Sequence, residues 1–285
     1  QMVAQKYPQV TWLPTGGDKG YGYAHNLSAR NAQGRILYLN ANDTRMPHDF
    51  FQKIYLETNG LNFDGFLVYK QRTFADLEAL AHFGVDFLGF PCLSPKASDR
   101  FYSEGSNYMV DRESFLKMGG YDSDLYLFYE DIDLFWRARV LGIPITFNEN
   151  LFIYHKGGAT VSGGHFRGEE QYKTTSLRRY LNERNAIRNM IKNYSMPYLL
   201  PILSLYLLLS MFEMIFLAVI SRNFRVIKSY IGAWFWNVFH LPNTLVFRRT
   251  VQSARKVSDQ EIVKLMYKGY GKLLTVRKIG LPKII

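Results

Sequence analysis

Along the first 160 residues, short apolar runs alternate with polar stretches that suit helices. Residues 10–13 and 36–39, each bounded by Gly or Pro, read as buried strands. Pro47 then opens a helix over 48–56, because proline fits the first turn, where its missing N–H costs nothing. Residues 66–69 and 108–110 read as further strands. Over 129–141 the apolar residues Ile132, Phe135, Ala138 and Leu141 recur every third position, which suits one face of a helix, and Gly142 stands where a glycine would end it. A last short strand covers 152–154 and stops at His155. Strands alternating with helices predict the α/β class, with a mixed or parallel sheet flanked by helices.

From about residue 175 the pattern changes, which divides the chain into a sheet-containing unit over 1–175 and a helical, basic and hydrophobic unit over 176–285. Residues 198–220 are an almost unbroken apolar run, interrupted by Ser204, Ser210 and Glu213, and about 20 such residues cross a bilayer. Residues 230–247 lack charged side chains and are rich in aromatics, but Asn237, His240, Pro242 and Asn243 weaken them as a span. If only the first run crossed, the basic tail would lie outside, against the positive-inside tendency. The two runs therefore insert as a hairpin, or both lie shallowly in the membrane interface; Arg222, Arg225 and Lys228 in the short connection favour the interface. A buried helix of a soluble protein is the remaining arrangement.

Composition sharpens this picture. A chain that is 47% hydrophobic and 16% aromatic is not disordered. The formal net charge is +11, and its surplus is local: acids and bases nearly balance over 1–150, whereas Arg178, Arg179, Arg184, Arg188 and Lys192 and then many bases between Arg248 and Lys283 follow. No nucleic-acid-binding pattern accompanies them, so nucleic acid is not the expected partner. Because these bases flank apolar runs, an anionic membrane surface is. Cys92 is the single cysteine, which excludes a disulfide framework and a cysteine-built zinc site and suits a reducing compartment. The opening QMVAQKYPQV has neither a charged segment nor an apolar one of the kind that begins a signal peptide.

Three segments carry candidate chemistry. Leu39-Asn40-Ala41-Asn42-Asp43-Thr44 follows a buried strand, so Asp43 falls at a strand's carboxyl end, where open α/β sheets bind ligands. Mg²⁺ or Mn²⁺ needs only one or two carboxylates beside substrate phosphates, which makes Asp43 a candidate ligand; an Asx turn leading into the next helix is the plain alternative. Phe128-Tyr129-Glu130-Asp131-Ile132-Asp133 crowds three acids into a helix's first turn, where the macrodipole favours anions by about 0.3–1 kcal/mol each and keeps Asp131 ionised, as a base must be. Helix N-terminal charge alone is the competing account. His155-Lys156-Gly157-Gly158-Ala159-Thr160 follows the last strand, so His155 could complete a metal site beside a mobile glycine loop, or be structural. The glycine-rich stretch from Gly16 to Asn26 is neither a Walker loop nor a dinucleotide fingerprint.

In this order the segments resemble the bacterial family 2 glycosyltransferases of GT-A fold, and among them the rhamnosyltransferase-type enzymes of O-antigen, capsule and cell-wall polysaccharide assembly. The likeness rests on the stretch from Gly20 to Asn26, on Leu39 to Asp43, on Gly119-Gly120-Tyr121-Asp122, on Phe128 to Arg137 (the family's F/Y-x-EDxDLxxR), on His155 to Thr160, and on an "RN" helix over 180–194. It covers about residues 8–195.

The resemblance implies an inverting transfer from a nucleotide-diphosphate sugar, rhamnose in the pattern of these enzymes, to a polyprenyl-linked glycan acceptor at the cytoplasmic face of the bacterial inner membrane. It implies Asp131 as general base, with Glu130 beside the acceptor or supporting the base. Asp43 and His155 would hold Mg²⁺ or Mn²⁺, and Asp18, Gly22, Asn26, Asn42 and Arg137 would lie at the donor. The metal motif is one residue longer than the family's, so Asn40 or Asn42 could replace its first ligand. The family's two opening strands, with their P-x-YN and DNxSxD signatures, do not occur before Val10, and the chain is expected to enter the fold partway through. A catalytically inactive, membrane-bound remnant that binds a partner or glycan is the alternative reading.

Overall fold

A computed structural model describes residues 2–72, 74, 82–94, 96, 100–103, 107–156 and 173–285. Helices α1 (Met2–Lys6) and α2 (Tyr21–Asn31) precede strands β1 (Ile36–Leu39) and β2 (Thr44–Arg45) and helix α3 (Phe50–Glu57). Strands β3 (Phe66–Arg72), β4 (His82–Val85), β5 (Pro91–Ser94) and β6 (Tyr108–Asp111) follow, then α4 (Arg112–Lys117), a 3₁₀ turn at Ser123–Leu125, α5 (Glu130–Val140) and β7 (Ile145–His155). The remainder is β8 (Lys173–Thr174), α6 (Ser176–Asn193), α7 (Met196–Ser221), α8 (Arg225–Phe239), α9 (Leu241–Ser253), α10 (Asp259–Lys264), α11 (Gly271–Ile279) and β9 (Lys283–Ile284).

Five strands form a mixed sheet in the order β1-β6-β3-β7-β2. β6 runs antiparallel to both β1 and β3, β7 runs parallel to β3, and β2 closes the other edge antiparallel to β7. The carboxyl ends of β1, β3 and β7 and the start of β6 therefore share one rim. Side chains alternate across the sheet with period two. Phe66 and Val68 pack toward α5, where Phe66 and Phe135 rings lie 4.8 Å apart, while Leu67 and Tyr69 pack toward Phe50 and Ile54 of α3. Both faces are covered, which explains why these strands read as continuous apolar runs. The α/β class with flanking helices is as predicted.

Several boundaries differ from the sequence reading. Residues 10–13 form no strand: Val10 and Trp12 are 48% and 59% exposed, and no described strand offers them a ladder. β7 begins seven residues before 152, because its polar Asn148-Glu149-Asn150 segment forms an irregularity opposite Tyr69 and Lys70, closed by Asn148 Oδ1 accepting from the Asn150 and Leu151 N–H groups. The run 230–247 is two helices, broken at His240 with Pro242 in the first turn of α9. α5 ends as expected: the Gly142 N–H reaches Arg139 O at 3.1 Å and the Ile143 N–H reaches Ala138 O at 2.8 Å, a Schellman closure around a glycine at φ 68°.

The bases expected to face lipid need the largest correction. Arg184, Arg188, Lys192 and Arg248 are buried, so they do not present charge to a membrane. α7 is the one described helix long and apolar enough to span, and only 28% of its most apolar window is buried.

Candidate functional site

The rim gathers side chains from five segments. Antiparallel pairing sets Thr44 opposite His155, which brings Asp43 Oδ1 to 3.2 Å from His155 Nε2, and the Lys156 N–H donates to Asp43 O at 3.0 Å. At the end of β3, Gln71 Nε2 lies 2.8 Å from His155 Nδ1, and Gln71 Oε1 accepts from Asn107 Nδ2 at 2.7 Å. Asn107 Oδ1 has no hydrogen-bond partner among the described residues, although it is buried. Turning both amides over would let Gln71 accept from Nδ1–H and donate to Asn107 Oδ1, the arrangement in which Nε2 offers its lone pair to a cation beside Asp43.

A cluster of phenols links this pair to the acids of α5. The Tyr121 hydroxyl donates to Asp131 Oδ1 at 3.1 Å and also contacts the Tyr108 hydroxyl. Tyr21 packs edge-on against Tyr121 at 5.5 Å. Its hydroxyl is pushed well above the ordinary tyrosine range, first by burial and then by Asp131, with Glu130 and Asp43 adding to it. One phenol thus lies within electrostatic reach of three carboxylates brought from sequence positions almost ninety residues apart. Glu130 is buried and Asp131 partly exposed, so Asp131 is the more accessible acid.

The structure pairs Asp43 with His155 and sets Tyr21 within electrostatic reach of Asp43, Glu130 and Asp131. Asn42 is exposed on the loop between β1 and β2, at the same rim. Asn40, the alternative metal ligand, accepts from Thr44 Oγ1 at 2.6 Å and from the Tyr38 hydroxyl at 3.2 Å. Asp18 is turned to the Tyr126 hydroxyl at 2.7 Å; that bond, followed by the Gly20 N–H, holds its carboxyl below the usual range. The glycine loop after His155, Gly157 to Thr160, lies outside the described residues.

Three residues expected at the donor have other duties. Asn26 clasps Tyr121, donating to Tyr121 O at 2.8 Å and accepting from the Tyr121 N–H at 2.8 Å. Gly22 lets α2 approach Tyr121, whose Cβ would lie 2.7 Å from an added side chain. Arg137 is fully buried, paired with Asp133 at 2.8 Å and donating to Met118 O and Gly120 O at 2.9 and 2.7 Å. An arginine buried in the core with each of its three nitrogens engaged there is not placed to meet a diphosphate. Gly120 itself, at φ 65°, sits so close to Asn26 Oδ1 that no Cβ fits.

Sequence reading missed the support of this site. Asp122 and Asp133 are both buried, and Lys192 lies between them, 2.8 Å from Asp133, with Arg188 2.7 Å from Asp122. Burial alone would raise the Asp122 carboxyl, but Lys192 and Arg188 outweigh it and hold that carboxyl far below the usual range. Asp133 is lowered likewise, by Arg137 and Lys192 against burial. The signal was available: Arg184, Arg188 and Lys192 recur every four residues and so share one face of a helix.

Next to them, Tyr126, Phe128 and Tyr129 all take left-handed backbone (φ 61°, 67° and 67°), an unfavourable conformation for such side chains. Their turn is clamped by α6: Asn185 Nδ2 donates to Leu125, Leu127 and Phe128 carbonyls at 2.7–3.0 Å, and Asn189 Nδ2 to Tyr129 O at 3.0 Å.

The residues present fit a divalent cation. Two ligands at right angles on an ion bonded at about 2.1 Å lie about 3.0 Å apart, close to the Asp43–His155 separation. No group of three or more His, Cys, Asp and Glu suited to a metal occurs among the described residues, so the remaining positions would fall to substrate oxygens and water. The imidazole is oriented by Gln71, as metal-bound histidines commonly are by a neighbour.

The class this defines is a mixed α/β protein with a carboxylate- and histidine-bearing rim. In three dimensions the chain is similar to GalNAc-T7 with UDP, GalNAc and Mn²⁺, at 12% identity and a TM-score of 0.46, over 63% of this chain and 36% of that one. It is also similar to the mannosyltransferase PcManGT from Pyrobaculum calidifontis in complex with GDP-Man and Mn²⁺, at 14% identity and a TM-score of 0.43, over 88% of this chain and 70% of that one. The chain thus spans little more than a third of the first structure's length. No protein-family model matches the sequence, and no curated protein matches it.

Proposed function

We propose that this protein transfers a sugar from a nucleotide-diphosphate donor to a glycan acceptor, in the manner of the family 2 glycosyltransferases. The observation that carries the reading is the shared rim, where Asp43 meets His155 and Tyr21 lies within reach of Asp43, Glu130 and Asp131 together. Asp131, held by Tyr121, takes the proton of an acceptor hydroxyl as that oxygen attacks the anomeric carbon and the bond to the diphosphate breaks, inverting the centre. Asp43 and His155 would hold Mg²⁺ or Mn²⁺, which would neutralise charge on the departing diphosphate. Asp18 and Asn42 are the donor-side residues this reading retains. Rhamnose as the sugar, a polyprenyl-linked acceptor, a role in surface polysaccharide and a place on the cytoplasmic face of the bacterial plasma membrane complete the proposal; the exposed apolar face of α7 supports the membrane part.

The test is a donor screen with the full chain in membranes, with and without Mn²⁺ or Mg²⁺, against Asp131→Asn. Loss of transfer by roughly 10²–10⁴-fold with an unchanged circular dichroism spectrum is expected; full turnover by the variant would remove Asp131 from the role of base. The inward engagement of Asn26 and Arg137 favours the second reading, a binding protein without turnover, and that reading predicts glycan binding with no donor consumed by the wild type.

A further inference from the structure

A cavity of about 550 Å³ opens among α6, α7, α8 and α11, within the roughly 300–1,000 Å³ typical of small-molecule sites. Its inner end reaches Tyr129, and Tyr206, Leu209 and Leu217 form apolar walls. The charged groups in its lining are already engaged. Glu183 accepts from the Tyr206 hydroxyl at 2.9 Å and Trp234 Nε1 at 3.1 Å, and also from Ser210; Glu213 takes Arg179 at 3.1 Å and Lys272. With its buried carboxylates satisfied, the interior favours an apolar occupant over a sugar or nucleotide.

The mouth indicates where that occupant comes from. Phe212, Phe216, Leu273 and Leu281 line the cavity and are nevertheless 58%, 49%, 45% and 44% exposed, so the opening is continuous with the bare apolar face of α7. Beside the lining residues Val276 and Pro282 stand Arg277 and Lys283, both exposed. The chain contains no Asp or Glu after Glu261, so the α11–β9 segment carries no acid beside these two bases.

We propose that the cavity takes one acyl chain of an anionic membrane phospholipid, with the headgroup phosphate against Arg277 and Lys283. A single chain drawn out of the bilayer would fill the space that α7 and α11 leave open and would hold the protein at the membrane by more than surface charge. The proposal rests on the membrane association put forward above and not on sugar transfer.

Fluorescence of cis-parinaric acid, a single anionic hydrocarbon chain, tests it on the full-length protein. Saturable enhancement is expected, and Leu209→Trp and Thr275→Trp, which fill the cavity from opposite walls, should each weaken binding by roughly tenfold or more. Two variants guard against one misfolding, which circular dichroism would detect. Hexadecyl phosphate should displace the probe at roughly tenfold lower concentration than hexadecanol, as expected if a cationic mouth reads the headgroup. Absence of saturable enhancement, or unchanged affinity in both filled variants, overturns the proposal. Displacement by farnesyl phosphate far below the concentration of hexadecyl phosphate overturns the acyl occupant in favour of an isoprenoid one. Co-sedimentation with phosphatidylglycerol vesicles reads membrane association separately, and filled variants that still sediment but no longer bind the probe would locate the loss in the cavity.

Discussion

Replacing Lys192 by methionine probes the buried charges that support the rim. The ammonium is fully buried, 2.8 Å from Asp133 and in contact with Asp122. Methionine keeps most of the stem and removes the charge, leaving two carboxylates to Arg188 and Arg137, at 2.7 and 2.8 Å. Removing one partner of a buried ion pair costs about 3–5 kcal/mol, and the two remaining guanidinium groups put this case near the lower end, about 3 kcal/mol. At about 2–4 °C per kcal/mol for a chain of this size, the melting temperature should fall by about 6–12 °C in thermal unfolding followed by circular dichroism. The pH dependence gives a second reading. In the wild type the Asp122 carboxyl is lowered, so its contribution is present above the unfolded carboxylate range and is lost as pH falls through the folded value. The variant lacks the strongest cation on Asp122, so its deficit relative to wild type should narrow in acid, where the carboxylate can take a proton. A loss below about 1 kcal/mol, the level of an exposed pair, or a deficit indifferent to pH would refute this charge balance.

Other perturbations reach the rim itself. Gln71→Leu should weaken Mn²⁺ binding, measured by titration calorimetry, by roughly 10–100-fold while leaving the fold intact, because His155 loses the neighbour that orients it. Tyr121→Phe should lower kcat for transfer by roughly tenfold with little change in donor KM, since a hydrogen bond to a charged group is worth about 1.5–3 kcal/mol; an unchanged kcat would show that the Tyr121 hydroxyl does not help Asp131. The His25 ring lies tilted against Tyr21 with centroids 4.2 Å apart, and burial lowers its pKa to about 4, below the ordinary value of about 6.5. An unfolded chain takes up that proton first, so stability should decline as pH falls from about 6.5 to 4 and His25→Phe should flatten that part of the curve.

Much of the fold was legible because sheet strands buried on both faces leave unmistakable apolar runs, as at 36–39, 66–69 and 108–110. α5 was legible through its three-residue step and its closing glycine. Residues 10–13 misled because an apolar run specifies burial and not a ladder partner. Half of β7 was hidden by Asn148, which folds the strand's backbone onto its own side chain.

At the site, Asp43, Asp131 and His155 could be singled out because each follows or opens a recognisable element. Arg137 and Asn26 turn inward where a donor role was expected, because a polar residue in a motif looks the same in sequence whether it faces a ligand or braces the turn beside it. The phenols of Tyr21, Tyr108 and Tyr121 went unassigned, since aromatic residues read as core until tertiary structure sets their hydroxyls against a carboxylate. The cations of α6 were read as membrane-seeking because charge counted along a chain carries no direction.

The helix that supplies Arg188 and Lys192 begins at Ser176, just beyond the point where the chain's character changes. A fragment ending at that change would carry the whole rim and yet fail to fold around it. Asp122 would be left without its counterions and Asp133 with Arg137 alone, and the left-handed turn ahead of Glu130 would lose the amides that pin it. The two halves are therefore not interchangeable cassettes, and any chimera that grafts this rim onto a different anchor must bring residues 176–193 with it.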